Sequence, residues 1–231
     1  MEQGVQNFPG LAGGGALAAQ RNRVLRNTYW LLALSMVPTV LGAWVGMSIG
    51  INRILTPGIG LIVFLAGAFG FMFAIEKFKN SAAGVPILLG FTFFMGVMLS
   101  RLLAVVLGMG NGASLVMMAF AGTGAIFLGM ATLSSVVKRD LSNMAKFMFI
   151  GVILLLVAGI ANFFIQSSAL MITLAVLAIG IFSFFILYDL KRVQDGEETN
   201  YITATLGVYL SIYNVFQSLL ALFGIAGSSN D

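Results

Sequence analysis

The chain has 231 residues, 59% of them hydrophobic and 9% charged, with a mean hydropathy of +1.02 and a formal net charge of +4. A soluble globular domain carries about 25% charged residues, so this composition excludes one and specifies an integral membrane protein. The absence of Cys and His excludes thiol nucleophiles, disulfides, Cys/His metal sites and imidazole-dependent triads, and with them most enzyme chemistries.

The chain opens on a glycine-rich run, Gly10-Leu11-Ala12-Gly13-Gly14-Gly15-Ala16, which offers too little apolar surface to order itself. Residues 1–22 are therefore expected to form a flexible cytoplasmic tail, and residues 23–231 one membrane domain. A signal peptide fits less well, because Arg21, Arg23 and Arg26 follow the mildly apolar stretch instead of preceding it.

A helix needs roughly 20 apolar residues to cross the hydrocarbon core. Seven runs reach or approach that length, near Tyr29 to Ile51, Ile59 to Ile75, Val85 to Leu107, Ala113 to Val137, Phe147 to Ile165, Ala169 to Tyr188 and Ile202 to Ala226. The expected fold is an all-α integral membrane protein, a seven-transmembrane-helix bundle. Basic residues are retained in cytoplasmic loops. With the N-terminus inside, the inner segments hold Arg21, Arg23, Arg26, Lys77, Lys79, Lys138, Arg139, Lys146, Lys191 and Arg192, and the outer side keeps only Arg53 and Arg101. That distribution predicts an N-inside, C-outside orientation.

Helices in lipid associate through small residues and through polar side chains that bond across the interface. Such residues recur in the second span at Ala66 and Gly70, in the fourth at Ala121, Ala125 and Gly129, and in the fifth at Gly151, Ala158 and Asn162. In the seventh span Thr203, Gly207, Ser211, Asn214 and Ser218 fall at steps of four, four, three and four. That stripe is expected to face the bundle interior, either as packing contacts or as a polar conduit.

A charge at the centre of a membrane helix costs at least ~2.5 kcal/mol, so the two charges nearest that position carry information. Arg101 lies near the outer end of its span, and its long stem can carry the guanidinium to the interface. Asp189 ends the sixth span, where a carboxylate opposes the helix dipole and Lys191 and Arg192 are close enough to offset it. Tyr188-Asp189 matches half of an intramembrane aspartyl protease signature. That chemistry needs a second carboxylate, and the seventh span has no Asp or Glu. The acidic stretch Gln194-Asp195-Gly196-Glu197-Glu198-Thr199-Asn200 is expected to be a solvated turn. No catalytic, cofactor-binding or metal-ligating constellation remains, nor a basis for nucleic-acid binding, and the chain is not expected to be an enzyme.

The stretches Val24-Leu25-Arg26-Asn27-Thr28-Tyr29, Ile186-Leu187-Tyr188-Asp189, Gly196-Glu197-Glu198-Thr199-Asn200-Tyr201-Ile202 and Val208-Tyr209-Leu210-Ser211-Ile212-Tyr213-Asn214-Val215-Phe216 resemble the Bax inhibitor-1 family, and within it the bacterial YccA branch of FtsH-protease modulators. The seven-span plan extends the likeness along almost the whole chain. The resemblance implies a bacterial inner-membrane protein with a central last helix. It also implies association with FtsH, a membrane-anchored ATP-dependent protease, and in other branches a pH-sensitive calcium leak.

The leak branches carry two aspartates, one matching Asp189 and the other falling where this chain has Ser211. A further departure is Ser100-Arg101, where the family often has Gly-Pro. Restraint of FtsH proteolysis of membrane proteins is therefore the expected function, with residues 1 to 20 as the protease's handle. The alternatives are a calcium or proton leak channel gated through Asp189, and a structural helper without transport. Asp189, Ser211 and Asn214 are the candidate gate or pH-sensing residues, and Thr203, Gly207 and Ser218 complete the candidate packing stripe.

Overall fold

The computed structural model describes residues 9–228. Regular structure among them is entirely helical: α1 (Pro9–Ser48), α2 (Ile51–Ile54), α3 (Pro57–Phe78), α4 (Gly84–Leu107), α5 (Gly112–Val136), α6 (Ser142–Ile165), α7 (Ser168–Asp195) and α8 (Tyr201–Ser228). All but α2 are long and apolar enough to cross a membrane, and the expected all-α, seven-span bundle is the fold observed.

The helices overrun the apolar runs at the end of the bundle that carries most basic residues. There α7 continues past Tyr188 for two more turns, with Leu190 and Val193 fully buried. It stops at Gly196, whose φ of +83° is a left-handed conformation that glycine adopts without strain. The segment expected as a tail lies outside the described residues over 1–8, and from Pro9 onward the chain is helical. Pro9 suits a first helical position, and Ala16 to Arg21 are good helix formers. At the opposite end Gly50, also left-handed at φ +64°, reverses the chain into the single turn α2.

The tightest packing joins α1 to α4. A Cβ added to Gly42 would run into the carbonyl of Phe93, one on Gly46 into Ser100, and one on Gly96 into the carbonyl of Thr39. Backbone meets backbone there, which only glycine allows. Within α1, Pro38 removes one helical N–H, and beside it the hydroxyls of Ser35 and Thr39 donate to the carbonyls of Leu31 and Ser35. The last helix, α8, packs against α7, α5, α1, α4 and α3, whereas α6 packs mainly against α7.

Several small-residue stripes face the lipid instead of the bundle. Ala121, Ala125 and Gly129 are exposed on α5, whose inner face is Leu115, Ala119 and Thr123. On α3, Ala66 and Gly70 are exposed, and the neighbouring Gly67 and Ala68 make the contact, Gly67 against the ring of Phe94. The α6 stripe, by contrast, meets protein. Gly151 abuts Ile181 of α7, and the side-chain carbonyl of Asn162 accepts the N–H of Ser167 to close the α6–α7 turn. In a chain this apolar a small residue is permitted on either face, so spacing alone does not say which neighbour it meets.

Candidate functional site

Asp189 lies on the α8-facing side of α7, and its carboxylate occupies the space a side chain at position 207 would need. A Cβ on Gly207 would lie 2.7 Å from Oδ2 and 3.0 Å from Cγ of Asp189. Gly207 is thus a seat for a carboxylate. Among the described residues no hydrogen bond or ion pair reaches Asp189. Its basic neighbours are engaged elsewhere: Lys191, itself buried, pairs with Asp195 at 2.7 Å, and Arg192 lies 3.9 Å from Glu197 and 3.7 Å from Glu198, over the ring of Tyr188.

The other residues singled out on α8 lie along the same helix but do different things. Ser211 is buried, one turn or ~6 Å beyond Gly207, and no hydrogen bond joins it to Asp189. The amide of Asn214 donates to the carbonyl of Leu210 in its own helix at 2.8 Å. Thr203 buries a hydroxyl oxygen that has no hydrogen-bond partner. Gly207 is half-buried, as is Ser218.

A second polar stripe on α8 was not singled out from the sequence. Thr205 donates to the carbonyl of Tyr201 and reaches that of Thr28 on α1 at 3.4 Å. One turn on, the Tyr209 hydroxyl is 2.9 Å from that of Thr39 and 3.4 Å from the carbonyl of Thr92 on α4. After a further turn the Tyr213 hydroxyl donates to the carbonyl of Met95 at 3.3 Å. These contacts stitch the last helix to the first and the fourth. The available signal was periodicity: Thr205, Tyr209 and Tyr213 fall at steps of four.

The α7–α8 loop leaves Asp195, Glu197 and Thr199 exposed, as expected of a solvated turn, and is at the same time a built junction. Asn200 caps α8, its side-chain oxygen accepting the N–H groups of Ile202 and Thr203, while its amide donates to the carbonyl of Lys79 and to Asn80 in the α3–α4 loop. Glu198 accepts the N–H of Asn200. Gln194 donates to Ser134 of α5, and the guanidinium of Arg21 on α1 donates to the carbonyl of Gln194 while its stem covers Gly196. Three segments distant in sequence are held by this junction.

At the opposite end the guanidinium of Arg101 lies against Gly60, in the first turns of α3, at the depth expected of a side chain reaching for the interface. Among the described residues no three His, Cys, Asp or Glu side chains converge on a point where a metal ion could sit.

The comparisons with known proteins agree with this architecture. A family model described as "inhibitor of apoptosis-promoting Bax1" matches residues 21–228. An uncharacterized membrane protein of Vibrio cholerae is 36% identical over 91% of this chain and 93% of its own length. An uncharacterized protein of Pseudomonas aeruginosa is 37% identical over 93% of this chain and 96% of its own. A protein of Escherichia coli named modulator of FtsH protease YccA is 34% identical over 89% of this chain and 91% of its own; in another strain it is named inner membrane protein YccA. With seven spans and relatives matched along nearly their whole length, this is a multi-pass inner-membrane protein, and the chain belongs to the Bax inhibitor-1 family.

Proposed function

We propose that this protein is a non-enzymatic regulator that associates with the FtsH protease and restrains its proteolysis of membrane proteins. The observation that carries the reading is the near full-length likeness to the Escherichia coli protein named as a modulator of that protease. The distribution of basic residues supports an N-inside, C-outside orientation, which puts the N-terminus on the side where an ATP-dependent protease would engage it. Pulling from there, the protease first meets the Arg21–Gln194 contact and then a first helix sealed against α4 and stitched to α8. Engagement that cannot readily proceed to extraction occupies the protease.

The test is co-purification of FtsH with the tagged chain from detergent-extracted membranes, followed by digestion of a membrane substrate by FtsH in proteoliposomes with and without the chain. Co-purification and slowed digestion are expected, and a chain that neither binds nor slows the protease refutes the reading. Deleting residues 2–20 should lengthen the chain's lifetime in cells containing FtsH; an unchanged lifetime removes the tail as the handle. A reporter fused after Asp231 should be active only outside the cytoplasm.

A second reading, a calcium or proton leak gated through Asp189, is favoured by one feature: a carboxylate seated in a membrane helix against Gly207 that, among the described residues, forms no ion pair within 4.0 Å. Because the position matching the second aspartate is Ser211, little pH-dependent calcium flux is expected in liposomes, and Ser211→Asp should enlarge it. Strong flux in the unmodified protein that Asp189→Asn abolishes would make the leak the primary function.

A further inference from the structure

At the basic end of the bundle α1 carries a cleft that neither the α8 seam nor the loop junction uses. It has a volume of about 370 Å³ and is lined by Asn22, Leu25, Arg26, Tyr29 and Trp30. These residues follow one another at three- and four-residue steps, so they share one helix face. The ring of Tyr29 stands edge-on to Phe127 of α5 at 6.3 Å, which fixes that wall. Trp30 is 73% exposed one turn deeper. Such a position suits the bilayer interface, where indoles sit at the level of the headgroups.

Arg26 is exposed and, among the described residues, makes no hydrogen bond or ion pair. Among the described residues Asp189 is seated against Gly207 of α8, and the other carboxylates at this end are engaged elsewhere: Glu76 with Lys79, Asp195 with Lys191, Glu197 and Glu198 near Arg192, and Asp140 with the N–H of Ser142. Among the described residues no carboxylate therefore pairs with Arg26, and Arg21 and Arg23 on the same helix add to the positive charge around it. A guanidinium beside an amide, a phenol and an indole presents several donors suited to phosphate oxygens. The apolar flank of Leu25 and Trp30 suits the glycerol and the first carbons of an acyl chain. A phosphate free in solution would gain nothing from that flank.

We propose that this cleft binds the headgroup of an anionic phospholipid, with Arg26 as the counter-charge of its phosphate and Trp30 against its glycerol region. The chain has two tryptophans, so Trp44→Phe leaves Trp30 as the only indole. The experiment places this variant, otherwise full length, in phosphatidylcholine vesicles containing equal fractions of brominated phosphatidylglycerol or brominated phosphatidylcholine, and compares quenching of Trp30 fluorescence. An apparent preference of about fivefold for the anionic lipid is expected, equivalent to the ~1 kcal/mol that one basic residue contributes near an anionic surface. Arg26→Gln should abolish the preference, and Arg53→Gln, at the opposite end, should leave it intact. Equal quenching by the two lipids, or a preference that survives Arg26→Gln, overturns the proposal. Loss of the preference on adding excess inorganic phosphate at constant ionic strength also overturns it, in favour of a simple anion site.

Discussion

Helices α4 and α6 are equally long and almost equally apolar, yet they occupy opposite situations. On α4, ten residues from Gly84 to Val106 are buried, and its Gly96 touches the backbone of α1. On α6, of the described residues only Ala145 is buried, while Phe147, Ile150, Leu154, Val157 and Phe164 face outward. Lipid tails are as apolar as leucine, so apolarity cannot draw a helix inward. Small residues that permit backbone approach, together with carbonyls that receive the Tyr209 and Tyr213 hydroxyls of α8, place α4 at the centre, and α6 lacks both on most of its surface.

The sharpest way to break this contrast is to fill the α1–α4 contact. Gly96→Val places a side chain on the carbonyl of Thr39 and should cost about 3 kcal/mol or more, read as a fall in the thermal unfolding midpoint in detergent. Next in size, Asn200→Ala removes the α8 cap and the tie to Asn80. It should cost about 1–2 kcal/mol and expose the Gln194–Glu198 stretch to protease, which limited digestion would show. Tyr209→Phe should cost about 1 kcal/mol, near the value of an interhelical hydrogen bond in a membrane. A double-mutant cycle with Thr39→Val should show coupling; additive losses would mean that the hydroxyls do not act together.

On the peripheral side of the contrast, Gly159 of α6 has nothing within 4 Å of an added Cβ, so Gly159→Ala should change stability by no more than about 0.5 kcal/mol. The smallest effect belongs to Asp140, whose carboxylate accepts the N–H of Ser142 in front of α6 and is held by that bond below the usual carboxylate range. A depressed value in the folded state means that its contribution is complete above the ordinary range and is lost as pH falls through the depressed one. The difference in unfolding midpoint between Asp140→Asn and the parent should therefore be present at neutral pH and vanish in acid.

The same contrast explains what could be read from the residues alone. Seven apolar runs specify seven helices because run length and bilayer thickness decide that question. Helix ends were less legible. The last two turns of α7 mix Leu190 and Val193 with Lys191, Arg192 and Gln194, and hydropathy reads such a mixture as loop. Faces were the least legible: Ala121, Ala125 and Gly129 have the spacing of a contact stripe but face outward, one register away from Thr123. The Asp189 seat at Gly207 was half visible, since both residues were singled out but their juxtaposition depends on how antiparallel α7 and α8 are offset. The Tyr209 and Tyr213 contacts needed knowledge of which helices meet, and no single span contains that information.

The central position of α8 has a consequence for biogenesis. Tyr209 meets Thr39, 170 residues earlier in the chain, and Thr205 reaches Thr28, 177 residues earlier. At synthesis rates of about 5–20 residues per second, on the order of ten seconds or more separate the emergence of these partners. Over that interval α1, joined in turn by α4, α5 and α7, lies in the bilayer without the helix they share, and the hydroxyl of Thr39 lacks its partner. The bundle closes only once α8 has emerged, so a chain interrupted before it is an open one. Emergence of α8 completes the core, and a product truncated before it carries its own structural mark of being unfinished.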